Sequence, residues 1–207
     1  VAKKRRRKKS NQQGTATLIF VLVLLVIGGG FGGKYLMNRV FNHQSTQTTT
    51  QTETLSPEQK RQRKFIYKMA KPAMQVYKKN HQVLPSIVVA QAIIESNWGQ
   101  SQLFQQADNP FGMKGSYNGN TKLFPTKEYV NGKEVTINAY FRVYPSLAAA
   151  ILDHDAVVSQ QFLPSGTTNY RTAAKYLQTN GYATDPNYAD KLINVISGYN
   201  LARFDEE

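Results

Sequence analysis

Apolar residues fall into three patterns along the 207-residue chain. Near the amino end, Leu18 to Ile27 is an unbroken apolar run. Beyond residue 56 the spacing becomes helical. Phe65, Ile66, Met69 and Ala73 mark one face of a first helix, opened by Ser56-Pro57-Glu58-Gln59, with Ser at the N-cap, Pro at the first position and Gln at the third. Pro72 is expected to kink or break it. Pro85-Ser86 opens a second helix, Ile87 to about Trp98, apolar nearly all round and therefore central and buried. Two β-forming runs, Lys122–Val130 and Glu134–Val143, flank Asn131-Gly132 and predict a hairpin. Three more helical patterns lie at about 145–161, 169–179 and 186–199. Pro145-Ser146 and Asp185-Pro186 mark two of the starts, and Gly181 succeeds the second helix. The expected class is α+β, mainly helical with one β-hairpin.

Charge divides the chain. Formal net charge is +13, yet residues 1–50 hold nine Lys/Arg and no acid, whereas residues 51–207 hold seventeen Lys/Arg against thirteen Asp/Glu. Residues 3–9 are all basic, and no charge occurs from Ser10 to Gly33. The ten-residue run alone is short of the roughly 20 residues a bilayer span needs. Extended through the glycine-rich Gly28–Gly33, with Lys34 and Tyr35 as interfacial anchors, it predicts a single transmembrane helix over 15–37, behind a basic cytoplasmic head at 1–14. A cleaved signal peptide is the alternative. Both place the remainder of the chain outside the cytoplasm and leave no nucleic-acid partner. Residues 38–56, rich in Thr and Gln, read as a linker, and 57–207 as the folded domain. Residues 55–80 carry eight Lys/Arg and one acid, Glu58. That helix is a solvated face or a surface attracted to anionic lipid or acidic wall polymers.

Cysteine is absent and the three histidines (His43, His81, His154) are far apart in sequence, so neither thiolate chemistry nor a metal site is expected. Carboxylates are the remaining candidates. Asp205, Glu206 and Glu207 read as a tail, Asp153 and Asp155 as surface positions flanking His154, and Asp185 and Asp190 as helix-start residues. A serine triad through His154 lacks a Gly-x-Ser-x-Gly elbow. Glu95 stands apart, as the one acid inside an apolar run. Burial would raise its pKa and keep it protonated, as a general acid requires. A hydrogen-bonded structural glutamate is the other reading. Gln91 and Trp98, four before and three after, share its face if the helix continues, and Trp98 would offer a stacking wall for a sugar. Glycoside hydrolysis generally uses two carboxylates. Glu128 and Glu134, on the two arms of the hairpin, are candidates for the second, and spacing does not choose between them.

The segment Pro-Ser-Ile-Val-Val-Ala-Gln-Ala-Ile-Ile-Glu-Ser-Asn-Trp-Gly-Gln-Ser from residue 85 resembles the signature of glycoside hydrolase family 73, bacterial endo-β-N-acetylglucosaminidases that cut peptidoglycan. Asp108-Asn109-Pro110-Phe111-Gly112-Met113-Lys114-Gly115, Thr126-Lys127-Glu128-Tyr129 with Phe141-Arg142-Val143-Tyr144, and Gly181-Tyr182-Ala183-Thr184-Asp185-Pro186-x-Tyr188-Ala189 resemble three further blocks, in order, over about residues 58–200. The resemblance implies a lysozyme-like fold, Glu95 as general acid, Glu128 as the second glutamate and Tyr182 as a cleft tyrosine needed for activity. It places Trp98, Phe111, Gln91, Asn109 and Tyr188 around the substrate. The implied protein is a membrane-anchored, extracellular peptidoglycan glycosidase without metal or organic cofactor, Glu95 protonating the leaving oxygen. An N-acetylmuramidase on the same fold and a non-catalytic wall-binding or assembly protein are the alternatives.

Overall fold

A computed structural model describes residues 55–130 and 133–206, with 128–130, 133 and 134 described by backbone alone. The head, anchor and all but the last two linker residues expected from the sequence lie outside the described residues. Among the described residues, no helix is long and apolar enough to cross a membrane.

Helix α1, Pro57–Asn80, begins with the expected capping box. The Gln59 amide N–H donates to Ser56 Oγ at 3.2 Å, and the Ser56 amide N–H donates to Gln59 Oε1 at 2.8 Å. Phe65, Ile66, Met69, Ala70, Ala73 and Val76 form its buried stripe. The break expected at Pro72 does not occur: α1 runs unbroken through it. Burial of Met69, Ala70, Ala73 and Val76 on both sides of the proline holds the turn together despite one missing backbone donor.

Helix α2, Pro85–Ser96, is the axis of the fold and packs against α1 and three carboxyl-terminal elements. Ten of its twelve residues are buried, which the all-round apolar sequence requires. Its amino end has no local side-chain cap. Asp205 supplies one from 119 residues away, accepting from the Ser86 amide at 2.8 Å and from the Ser86 hydroxyl at 2.7 Å. Asp205 is therefore a capping residue, not the tail residue expected; the negative carboxylate also matches the positive end of the helix dipole.

The helix stops at Ser96, two residues before the expected end. Asn97, Trp98 and Gly99 all adopt left-handed backbone, at φ 48°, 59° and 73°. Gly99 is required there. A β-carbon at this position would lie 2.7 Å from the Phe65 ring, in addition to the unfavourable φ.

A short helix, α3 (Gln102–Ala107), is not visible in the periodicity. Strands β1 (Thr121–Val130) and β2 (Lys133–Arg142) form the expected antiparallel hairpin, in register from Thr121 opposite Arg142 to Val130 opposite Lys133. Phe124 and Phe141 pack with Ala107 in a small second core at the hairpin base. Three helices come next: α4 (Leu147–Gln161), α5 (Tyr170–Thr179) and α6 (Tyr188–Gly198), each within two residues of expectation. A 3₁₀ turn, Leu201–Asp205, succeeds them.

Candidate active site

Glu95 lies in the last turn of α2, at the point where the chain turns into its left-handed segment. Its side chain is partly exposed, with protein packed around much of the carboxyl. Burial pushes its pKa from 4.5 up to about 8. Two partners act in the opposite direction and limit the rise: a hydrogen bond from the Tyr188 hydroxyl to Oε1 at 3.3 Å, and the positive charge of Lys191. Tyr188, fully buried at the start of α6, in turn accepts from Gln91 Nε2 at 3.2 Å. The donors run in one direction, Gln91 to Tyr188 to Glu95. The carboxyl is thus protonated near neutral pH and held in place. The same two partners stabilise the carboxylate left when the proton departs. These are the properties of a group that gives and recovers a proton.

Tyr188 bonds Glu95 directly, and Gln91 reaches it through Tyr188. Trp98 does not share the helical face, because α2 ends before it. Its ring is buried edge-on against Tyr199 at 4.9 Å and Phe65 at 6.1 Å, in the main core. Asn109 is buried and wholly engaged with backbone. Its Nδ2 donates to the carbonyls of Met113 and Arg142, both at 2.9 Å, and its Oδ1 accepts from the Met113 amide at 3.0 Å. It clasps the loop after α3 to the end of β2. Phe111 is fully buried and stacks on His154 at 3.9 Å. Tyr182 lies one contact beyond Tyr188, with ring centroids 5.6 Å apart. It is 1% exposed, and its hydroxyl faces His154 Nε2 at 3.4 Å. Glu128 occupies β1 opposite Val135, and Glu134 occupies β2 opposite Tyr129.

The surface positions expected around His154 need correction. His154 and Asp155 are both fully buried, paired Nδ1 to Oδ1 at 3.0 Å. Asp153 is also engaged, bonded to the Arg142 guanidinium and accepting from the Tyr144 hydroxyl at 2.6 Å. These contacts tie β2 to α4. The signal for His154 and Asp155 is present in the spacing. Ala150, Ile151 and Val158 define the buried stripe of α4, and positions 154 and 155 fall within it. Their charge conceals it. Among the described residues, no group of acids and histidines is placed to hold a metal.

A mainly helical body with a protonated carboxyl at the end of its central helix, and a hairpin to one side, is the architecture of a lysozyme-like domain. The chain belongs to the glucosaminidase family: residues 70–201 match the family described as mannosyl-glycoprotein endo-beta-N-acetylglucosaminidase. It is 42% identical over 158 residues to the exo-glucosaminidase LytG of Bacillus subtilis, covering 70% of this chain and 54% of that protein. It is also 42% identical over 152 residues to a probable N-acetylmuramidase of Lactococcus lactis, covering 68% and 34%. The chain thus spans about half or less of the length of these relatives. Among solved structures, the catalytic domain of the autolysin Auto from Listeria monocytogenes matches with a TM-score of 0.62 and 32% identity, over 86% of this chain and 99% of that one.

Proposed function

We propose that the protein is a peptidoglycan glycosidase that cleaves the β-1,4 bond after N-acetylglucosamine, with Glu95 as general acid. The observation that carries this reading is the Glu95 carboxyl, raised to about 8 and held by Tyr188 at the end of the central helix. A protonated carboxyl beside a glycosidic oxygen lowers the barrier to departure of the leaving group. Glu128, on the hairpin, is the second glutamate. An inverting base would have to approach to roughly 6.5–9.5 Å from Glu95. In substrate assistance the substrate's own N-acetyl group attacks the anomeric carbon, and Tyr182 helps to set the geometry. The names of the relatives, a glucosaminidase, an autolysin and an N-acetylmuramidase, support a wall-glycan substrate.

The segment 15–37 tethers the domain to the outer face of a bacterial membrane, and the linker to residue 56 sets its reach. Lys60, Arg63, Lys64, Lys68, Lys71, Lys78 and Lys79 lie along α1, a surface suited to anionic lipid or wall polymers. An N-acetylmuramidase is the second reading, favoured by the relative of that name at 42% identity. The test is digestion of purified peptidoglycan by the protein and by its Glu95→Gln variant, with reduction and mass spectrometry of the new ends. Reduced N-acetylglucosamine ends, absent with the variant, are expected. Reduced N-acetylmuramic acid ends establish the muramidase. No new ends from a folded, wall-bound protein favour a binding module and overturn the enzymatic reading.

A further inference from the structure

The buried pair on α4 is linked to the proposed acid through two tyrosines and has no part in the chemistry described above. A hydroxyl as buried as that of Tyr182 needs a hydrogen-bond partner, and among the described residues His154 Nε2 faces it at 3.4 Å. The imidazole is fixed on three sides. Phe111 stacks on its face at 3.9 Å and 21°, Asp155 Oδ1 bonds Nδ1 at 3.0 Å, and the ring of Tyr182 stands edge-on at 6.3 Å. Asp155 Oδ2 has no hydrogen-bond partner among the described residues. A buried, incompletely satisfied imidazole–carboxyl pair contributes little to stability compared with apolar side chains of the same volume. Its place in the fold gives it another use. From His154 the contacts run to Tyr182, to the Tyr188 ring stacked at 5.6 Å and 30°, and from the Tyr188 hydroxyl to Glu95. Burial first, and the charges of Glu95 and Asp155 after it, favour the protonated form of the Tyr182 hydroxyl.

We propose that His154 is a positioning residue, oriented by Asp155 and clamped by Phe111, which fixes the Tyr182 hydroxyl and through the stacked tyrosines the group that holds Glu95. The inference rests on Glu95 and Tyr182 acting in catalysis as proposed above. It concerns the ε nitrogen specifically, because only that atom faces Tyr182.

Side-chain length separates this role from a merely structural one. In His154→Gln, the amide reaches the position of Nε2 and can bond Tyr182. In His154→Asn, the amide reaches the position of Nδ1 and can bond only Asp155. The experiment measures kcat and KM on solubilised wall glycan for both variants, for Tyr182→Phe, for Glu95→Gln and for His154→Asn with Tyr182→Phe, each checked for folding by thermal denaturation. Positioning predicts that His154→Asn lowers kcat by about tenfold or more with KM little changed. His154→Gln recovers much of that loss, and His154→Asn adds nothing in the Tyr182→Phe background. Asn equal to or better than Gln, or losses that multiply in the double variant, would overturn the inference. If His154→Asn does not fold, the test passes to His154→Gln and Asp155→Asn. A wild-type kcat in folded Asp155→Asn, or a loss in either folded variant that multiplies when it is combined with Tyr182→Phe, likewise overturns it. Full activity in Glu95→Gln or Tyr182→Phe instead rejects the catalytic reading on which the inference rests.

Discussion

Replacing Glu95 by Gln separates the stability of the fold from its activity. The side chains are nearly isosteric, and the introduced amide oxygen can still accept the Tyr188 hydroxyl bond. What changes is the proton. The folded carboxyl has its pKa raised from 4.5 to about 8, so the folded state binds a proton that the unfolded chain releases. The stability tied to that proton is therefore fully present below about pH 4.5. It falls as pH rises through the window up to about 8, and is level beyond. At about 1.4 kcal/mol per pH unit, the whole window corresponds to roughly 5 kcal/mol. Partial exposure of the side chain reduces this to about 2–3 kcal/mol. The Gln variant cannot ionise and escapes the loss. Urea unfolding of both proteins from about pH 5 to 9 should show the variant gaining about 2–3 kcal/mol on the wild type across that range. The other raised carboxyls, Asp155 and Asp205, are common to both proteins and cancel in the difference. The same variant should be inactive. A stability difference independent of pH would refute the claim that burial holds the proton on Glu95.

Other consequences are more local. Tyr188→Phe removes the bond that lowers the Glu95 pKa, so the alkaline limb of the pH–rate profile should move upward from about 8, an outcome read from kcat against pH. Asp205→Ala uncaps α2 and should cost about 1–2 kcal/mol in urea unfolding while leaving kcat unchanged. Gly99→Ala drives a methyl to within 2.7 Å of Phe65 at positive φ and should destabilise by about 2–3 kcal/mol, seen as a lowered Tm. Asn109→Ala leaves the Met113 and Arg142 carbonyls without their donor. A loss of about 2–3 kcal/mol is expected, with faster amide exchange at the hairpin base.

Local rules make most of the framework legible. The capping box at Ser56, the apolar surround of α2 and the Asn131-Gly132 punctuation each act within a few residues, and each corresponds to an observed element. Glu95 is legible for the same reason: a lone acid in an apolar run must either find a partner or hold its proton. The departures from expectation arise where contacts between elements, or two conflicting local signals, decide the outcome. Asp205 reads as a tail because its partner, Ser86, is 119 residues earlier. Asp153 reads as a surface residue because its partners, Arg142 and Tyr144, lie on β2 and just beyond it. For His154 and Asp155, charge points outward while spacing places them inside the helix stripe, and spacing wins. Trp98 would stay on the face of Glu95 only in a helix that continued. Asn97 and Gly99 end it first, since both residues readily take left-handed backbone.

The most direct test of the proposed chemistry is the titration of Glu95 itself. Carbon-13 NMR of side-chain carboxyls, recorded against pH and assigned by the signal missing from Glu95→Gln, reports that ionisation alone. An inflection near 8 is the predicted result. A Glu95 carboxyl that titrates between about 4 and 5, like an exposed glutamate, would contradict it and remove the proton on which the proposed chemistry depends.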